Sequence, residues 1–207
     1  MSSQVFYRKW RPTSFDNLEG QDHVVTVLRN AIKQHRISHA YLFCGPRGTG
    51  KTTSARVLAK TLNCLNPVNG EADNQCDICL SYDAGKTLDL IEMDAASNRG
   101  IDEIRSLREK VHFLPSQGAY KVYIVDEAHM LTEAAENAFL KTLEEPPKHV
   151  VFILCTTEVH KISPTIISRC QRFDFRRLAT KDIVSKLEFI CNKEGIQTEH
   201  KALEFIG

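Results

Sequence analysis

A glycine-rich run, Gly45-Pro-Arg-Gly-Thr-Gly-Lys-Thr52, constrains this chain more than any other feature. It follows the short apolar stretch Ala40–Cys44 and precedes Ala55, Leu58, Ala59 and Leu62, which recur at helical spacing. The pattern G-x-x-x-x-G-K-[ST], placed between a strand and a helix, describes a phosphate-binding loop. Its glycines let backbone N–H groups turn inward around phosphate oxygens. Lys51 adds a positive charge there, and the Thr52 hydroxyl suits a Mg²⁺ ligand.

The rest of the chain alternates between helix and strand patterns. Val24, Leu28, Ala31, Ile32 and His35 share a helical face, and Leu88–Asp94 reads as a strand. Ile104, Leu107, Val111 and Leu114 mark a helix stopped by Pro115. Val122–Val125 and Val150–Cys155 read as buried strands. Between those two, Thr132 is suited to N-cap a helix that Pro146-Pro147 ends. The alternation predicts an α/β fold, a parallel sheet flanked by helices. Past Leu178 the pattern becomes helical only. Thr180 is expected to cap a helix burying Ile183, Leu187, Ile190 and Cys191 and ending at Gly195, and Thr198 to open another. The expected division is therefore residues 1–178 as one α/β unit and 179–207 as the start of a second, helical unit of a longer protein.

Composition narrows the function classes. The 207 residues carry 27 Lys and Arg against 26 Asp and Glu, a net charge of +1. Bulk charge attraction to nucleic acid would need a more basic chain, so any such contact has to be local. The longest apolar run, Val150–Cys155, is six residues, far below the ~20 of a membrane span. Met1–Phe15 has Arg8, Lys9, Trp10 and Arg11 but no apolar stretch, so no secretory signal is expected. Seven cysteines, an odd number with Cys44, Cys155, Cys170 and Cys191 standing alone, read as reduced and cytoplasmic.

The apolar strand Val122–Val125 delivers Asp126 and Glu127 at its carboxyl end. Asp126 can hold a metal directly or through water, and Glu127 can polarise an attacking water. His129 is better suited to supporting these acids from behind, or to packing there, than to metal chemistry. Thr156 and Thr157 end the next strand, where a hydroxyl could sense a terminal phosphate or serve only as a local cap.

Together the phosphate loop, Asp126-Glu127, Thr157 and Ser168-Arg169-Cys170 resemble the clamp-loader branch of the AAA+ ATPases. More closely, Tyr7-Arg-Lys-Trp-Arg-Pro12, Phe15, Gly20-Gln21 and Lys141-Thr-Leu-Glu-Glu-Pro-Pro147 resemble the gamma/tau family of bacterial DNA polymerase III subunits, over roughly residues 4–205. The resemblance implies an AAA+ core with a lid beginning near residue 179. It implies an ATPase that opens a sliding clamp and loads it on primed DNA. ATP and Mg²⁺ would be held by Gly45, Pro46, Arg47, Gly48, Thr49, Gly50, Lys51, Thr52 and Thr53 with Asp126, and Arg11 and Pro12 would lie against the adenine. Glu127 would act on the water, Thr157 would be the sensor, and Arg169 the arginine finger offered to a neighbouring subunit. The family's second sensor arginine is expected beyond Gly207.

Partners implied are the other clamp-loader subunits in a hetero-oligomeric ring, the sliding clamp, primer-template DNA, and the DNA polymerase III core through C-terminal regions outside this chain. Arg99, Arg105 and Lys141 would contact DNA phosphates. The alternative is a solvated helix face in which Asp102, Glu103 and Glu109 pair with the arginines. The family carries a four-cysteine zinc module between the loop helix and the next strand. Here its positions read Cys64, Asp73, Cys76 and Cys79, and a carboxylate is an acceptable Zn²⁺ ligand. A redox Cys76-x-x-Cys79 pair is the alternative. A different AAA+ nucleic-acid remodeller would not need Ser168-Arg169-Cys170, and an ATP-inactive scaffold subunit would not need both Lys51 and Glu127.

Overall fold

The computed structural model describes residues 5–206, so the outermost residues of the two expected units, 1–4 and 207, lie outside it. Five strands, β1 (Ala40–Cys44), β2 (Leu90–Asp94), β3 (Lys121–Asp126), β4 (Val150–Thr156) and β5 (Gln171–Asp174), form one sheet. Its order is β2-β3-β4-β1-β5 and every pair is parallel. The helices are α1 (Phe6–Lys9), α2 (Asp22–Lys33), α3 (Lys51–Asn63), α4 (Asp77–Asp83), α5 (Ile101–Lys110), α6 (Glu133–Glu144), α7 (Pro164–Ile167), α8 (Thr180–Glu194) and α9 (His200–Ile206).

Strand side chains alternate between two faces, and each face builds its own core. Tyr41, Phe43, Ile124 and Ile153 pack with Leu28 of α2 and Leu58 of α3. Leu42, Tyr123, Phe152 and Leu154 pack with Ile104 of α5, Phe139 of α6 and Ile166 of α7. Because both faces are covered, the central strands are apolar throughout, and β1 and β4 are buried along their whole length. Phe139 meets Phe152 edge-on at 5.1 Å. Truncating either to Ala would cost about 3–5 kcal/mol.

Several boundaries differ from the sequence expectation. β5 was not expected: only Phe173 of its four residues is buried, so it has no apolar run. It is held by backbone pairing to β1. β2 starts at Leu90, and Leu88 is 75% exposed because the chain is still entering the sheet. α5 ends at Lys110, leaving Leu114 past its end and 74% exposed. His35 lies beyond α2 at φ 53° and is exposed. Thr180 is the first helical residue of α8 and Ala179 is its N-cap. On that helix Val184 is the buried residue, while Ile183, Leu187, Ile190 and Cys191 are half-buried. α9 begins at His200 rather than at Thr198. Thr132 does cap α6, its hydroxyl accepting from the Ala135 N–H. None of the described helices is long and apolar enough to cross a membrane.

Candidate active site

All five strands run the same way, so their carboxyl ends gather on one rim of the sheet. Cys44 of β1 lies level with Thr156 of β4, and the Gly45 N–H donates to the Thr156 carbonyl at 3.2 Å. The loop thus starts against the strand that presents Thr157. Gly45 sits at φ 151°, and a Cβ there would lie 2.4 Å from the Phe175 carbonyl oxygen, so only glycine fits. Gly50 holds φ 90° at the N-cap of α3, turning the chain from loop into helix.

Lys51 is 7% exposed, and its Nζ donates to the carbonyls of Gly45 and Pro46, each at 2.8 Å. Burial lowers its pKa, while the nearby thiols and the Asp126 and Glu127 carboxylates pull the other way. The Thr49 hydroxyl also donates to Pro46 O, at 2.9 Å. Thr52 Oγ1 donates to Asp126 Oδ2 at 2.7 Å, so the two expected magnesium ligands already meet. Asp126 Oδ1 accepts the Glu127 N–H at 3.0 Å. Thr157 Oγ1 donates to Glu127 Oε2 at 3.1 Å. Lys51, Thr52, Asp126, Glu127 and Thr157 therefore converge on one rim. Behind them Cys155 is fully buried, its thiol pushed well up by desolvation and chemically inert.

Arg169 is elsewhere. It precedes β5, whose Gln171 is level with Tyr41, so roughly 13 Å of strand separate that level from Gly45. Its guanidinium donates to Glu144 Oε1 at 2.6 Å and to the Thr165 carbonyl at 2.9 Å. It stands at the opposite end of the sheet from its own loop. Arg11 and Pro12 line a cleft of about 800 Å³ with Arg56, Lys60, Tyr82 and Glu92, alongside α3. None of the residues 45–53 lines it.

Arg99, Arg105 and Lys141 are exposed on the α5–α6 side. Arg105 donates to Asp102 at 3.2 Å, and both are solvated. The Arg99 carbonyl accepts the Thr132 N–H, tying the turn before α5 to the cap of α6.

Cys64, Asp73, Cys76 and Cys79 bring one donor atom each within 4.8 Å of one another. Three are contributed by the loop after α3 and the turn into α4, with Cys79 on α4 itself. That helix, seven residues long, is too short to show a period in the sequence. Asp73 Oδ1 accepts the N–H groups of Gln75 and Cys76 at 3.0 and 3.1 Å, which hold its carboxyl well below the usual range. The Asp73 N–H donates to Cys64 Sγ at 3.3 Å. Burial pushes the Cys64 and Cys79 thiols up, whereas backbone N–H groups from Leu65 and Cys79 outweigh burial at Cys76 and lower it. All seven cysteines are free.

Sequence comparison adds relationships to this geometry. The profile of the family described as "DNA polymerase III, delta subunit" matches residues 20–179. The chain is 53% identical over its whole length to DNA polymerase III subunit tau of Bacillus subtilis, covering 37% of that protein. It is 47% identical over its whole length to the tau subunit of Escherichia coli, covering 32% of it. The chain thus spans about a third of the length of these relatives. Among solved structures, a Thermotoga maritima RuvB branch-migration motor aligns with TM-score 0.65 at 18% identity, over 94% of this chain and 58% of that one. A gamma subunit-related protein of Thermotoga maritima aligns with TM-score 0.51 at 23% identity, over 88% and 57%. At these identities the structural likeness speaks to the fold alone.

Proposed function

The chain belongs to the DNA polymerase III, delta subunit family, and on that premise we propose that it is an ATP-binding and hydrolysing motor subunit of the bacterial clamp loader. ATP would drive opening of the sliding clamp and its loading onto primed DNA in the cytoplasm. The observation that carries this reading is the convergence of Lys51, Thr52, Asp126, Glu127 and Thr157 on one strand rim. An inactive scaffold subunit would have no use for that set. The tau relatives extend the gamma/tau resemblance over the full chain.

Each residue's part follows from its chemistry. Backbone N–H groups of residues 45–53 cradle the phosphates, and Lys51 exchanges its two loop carbonyls for phosphate oxygens. Thr52 and Asp126 hold Mg²⁺, which supplies charge neutralisation when bound. Glu127 orients the water and Thr157 reads the terminal phosphate. Arg11 and Pro12 border the adenine end. Because Arg169 is at the far end of its own sheet, it serves the site of a neighbouring copy or subunit. Arg99, Arg105 and Lys141 meet the DNA backbone, and α8 and α9 begin the lid.

The cluster Cys64, Asp73, Cys76 and Cys79 fits Zn²⁺, since four suitable donors converge and the Asp73 carboxylate is already charged and oriented. There the metal would be structural. The other loader subunits, the clamp, primer-template DNA and the polymerase core are the proposed partners. Co-elution of the full-length protein with the other loader subunits and the clamp tests the reading. Clamp retention that requires ATP and is lost in Lys51→Ala is expected; ATP-independent retention would overturn it.

A further inference from the structure

Glu127 is held from two sides. Besides Thr157, the ring of His129 approaches the same carboxylate oxygen, with Nδ1 3.4 Å from Glu127 Oε2. The ring is itself fixed at both edges. Nδ1 lies 3.1 Å from Thr156 Oγ1, and Nε2 lies 3.3 Å from Glu158 Oε2. Glu158 is anchored in turn, by Lys161 Nζ at 2.5 Å and by its own N–H to Thr156 Oγ1 at 3.0 Å. The His129 side chain is 8% exposed, so it is wedged rather than mobile.

From the sequence, His129 supports the acids from behind or packs there, with no partner assigned. We propose that His129 is a positioning residue for hydrolysis: with Thr157 it bears on Oε2 of Glu127 and leaves Oε1 to face the attacking water. The inference rests on the ATPase reading. Its physical basis is that Glu127 follows β3 with a left-handed backbone, φ 47° and ψ 45°, so the strand's alternation does not set the direction of its side chain. Something beyond the backbone must fix the carboxylate. The Thr157 hydroxyl donates to Oε2 and the His129 ring edge lies 3.4 Å from the same oxygen, and both are braced by the end of β4, Thr156-Thr157-Glu158. A general base contributes only when held within hydrogen-bond reach of its proton. A displacement near 1 Å is worth up to ~10² in rate.

The test uses full-length protein assembled with its loader partners and measures ATP binding and turnover separately. His129→Ala should lower kcat by roughly 10- to 100-fold and leave ATP affinity within about twofold. Asn can place an amide N–H where Nδ1 stands, whereas Gln reaches toward Glu158. His129→Asn should therefore recover most of the turnover and His129→Gln should not. In a Glu127→Gln background, His129→Ala should cause no further loss. Wild-type kcat in His129→Ala, better rescue by Gln than by Asn, or additive losses with Glu127→Gln would each overturn the proposal. A second readout needs no turnover: in crystals of His129→Ala the Glu127 carboxylate should leave Thr157, and an unchanged carboxylate position would refute the role. Absence of turnover in the wild-type assembly, by contrast, would count against the ATPase reading.

Discussion

Glu127 combines an uncommon left-handed backbone, which costs of order 1–3 kcal/mol in a non-glycine residue, with the proposed role of orienting the water. Lys51 is a second costly residue: a buried ammonium satisfied by the Gly45 and Pro46 carbonyls. The two should separate binding from turnover. Lys51→Ala is expected to weaken ATP binding itself, read by titration with a fluorescent nucleotide. Glu127→Gln should bind ATP normally and lose about 10²–10⁴ in turnover, the usual contribution of a general base. Equal loss of binding in both variants would merge their roles.

At the scale of elements, the connection from α5 to β3 is tied down by one buried carboxylate. Asp89, 2% exposed, accepts the N–H groups of Ser116, Gln117 and Gly118 at 2.6, 2.8 and 2.9 Å, and the Ser116 hydroxyl at 3.0 Å. Burial would raise its pKa, but the three backbone donors outweigh it and hold it low. Its stabilisation is therefore complete above the unfolded-state value of ~3.9 and lost as pH falls through the lower folded value. Asp89→Ala leaves buried donors unpaired and should cost about 3 kcal/mol or more at neutral pH, while flattening the acid limb below ~pH 4. Denaturant melts across pH would show both effects. The cysteine insert gives a second element-scale expectation. A carboxylate is a harder donor than a thiolate, so zinc should leave Asp73→Ala faster than the native protein and Asp73→Cys more slowly. Chelator-driven release rates decide it; equal rates would place Asp73 outside the ligand set.

On the scale of the whole molecule, the parallel sheet places two candidate sites at opposite rims. The loop and acids occupy the carboxyl rim, and Arg169, paired with Glu144, occupies the other. An arginine finger supplied in trans contributes roughly 10³–10⁵ in rate. Arg169→Ala should thus silence the adjoining site in the assembled ring and leave ATP binding at its own site intact, as mixed-subunit assemblies would report. Arg99→Ala and Lys141→Ala should weaken loader–DNA binding alike on all sequences, each lowering the salt slope by about one. A sequence-dependent loss, or no loss, would favour the solvated-face alternative.

The sequence by itself determined the features that act over a few residues. Gly45–Thr52, the strand that delivers Asp126 and Glu127, and the Thr132 cap all depend on local spacing, whereas Asp73 joined Cys64, Cys76 and Cys79 only through the family resemblance. Local spacing is what a linear chain displays. The structure alone decided the strand order, which puts Thr157 beside Glu127 and turns Arg169 away from its own loop. It also decided β5, whose four residues hold together by pairing to β1 and not by any apolar pattern. Asp89 and His129 belong to the same class: each takes its meaning from partners such as Ser116 and Thr156, 27 residues away in the chain. Such contacts follow from sheet register and side-chain direction, which are set by packing across the whole core.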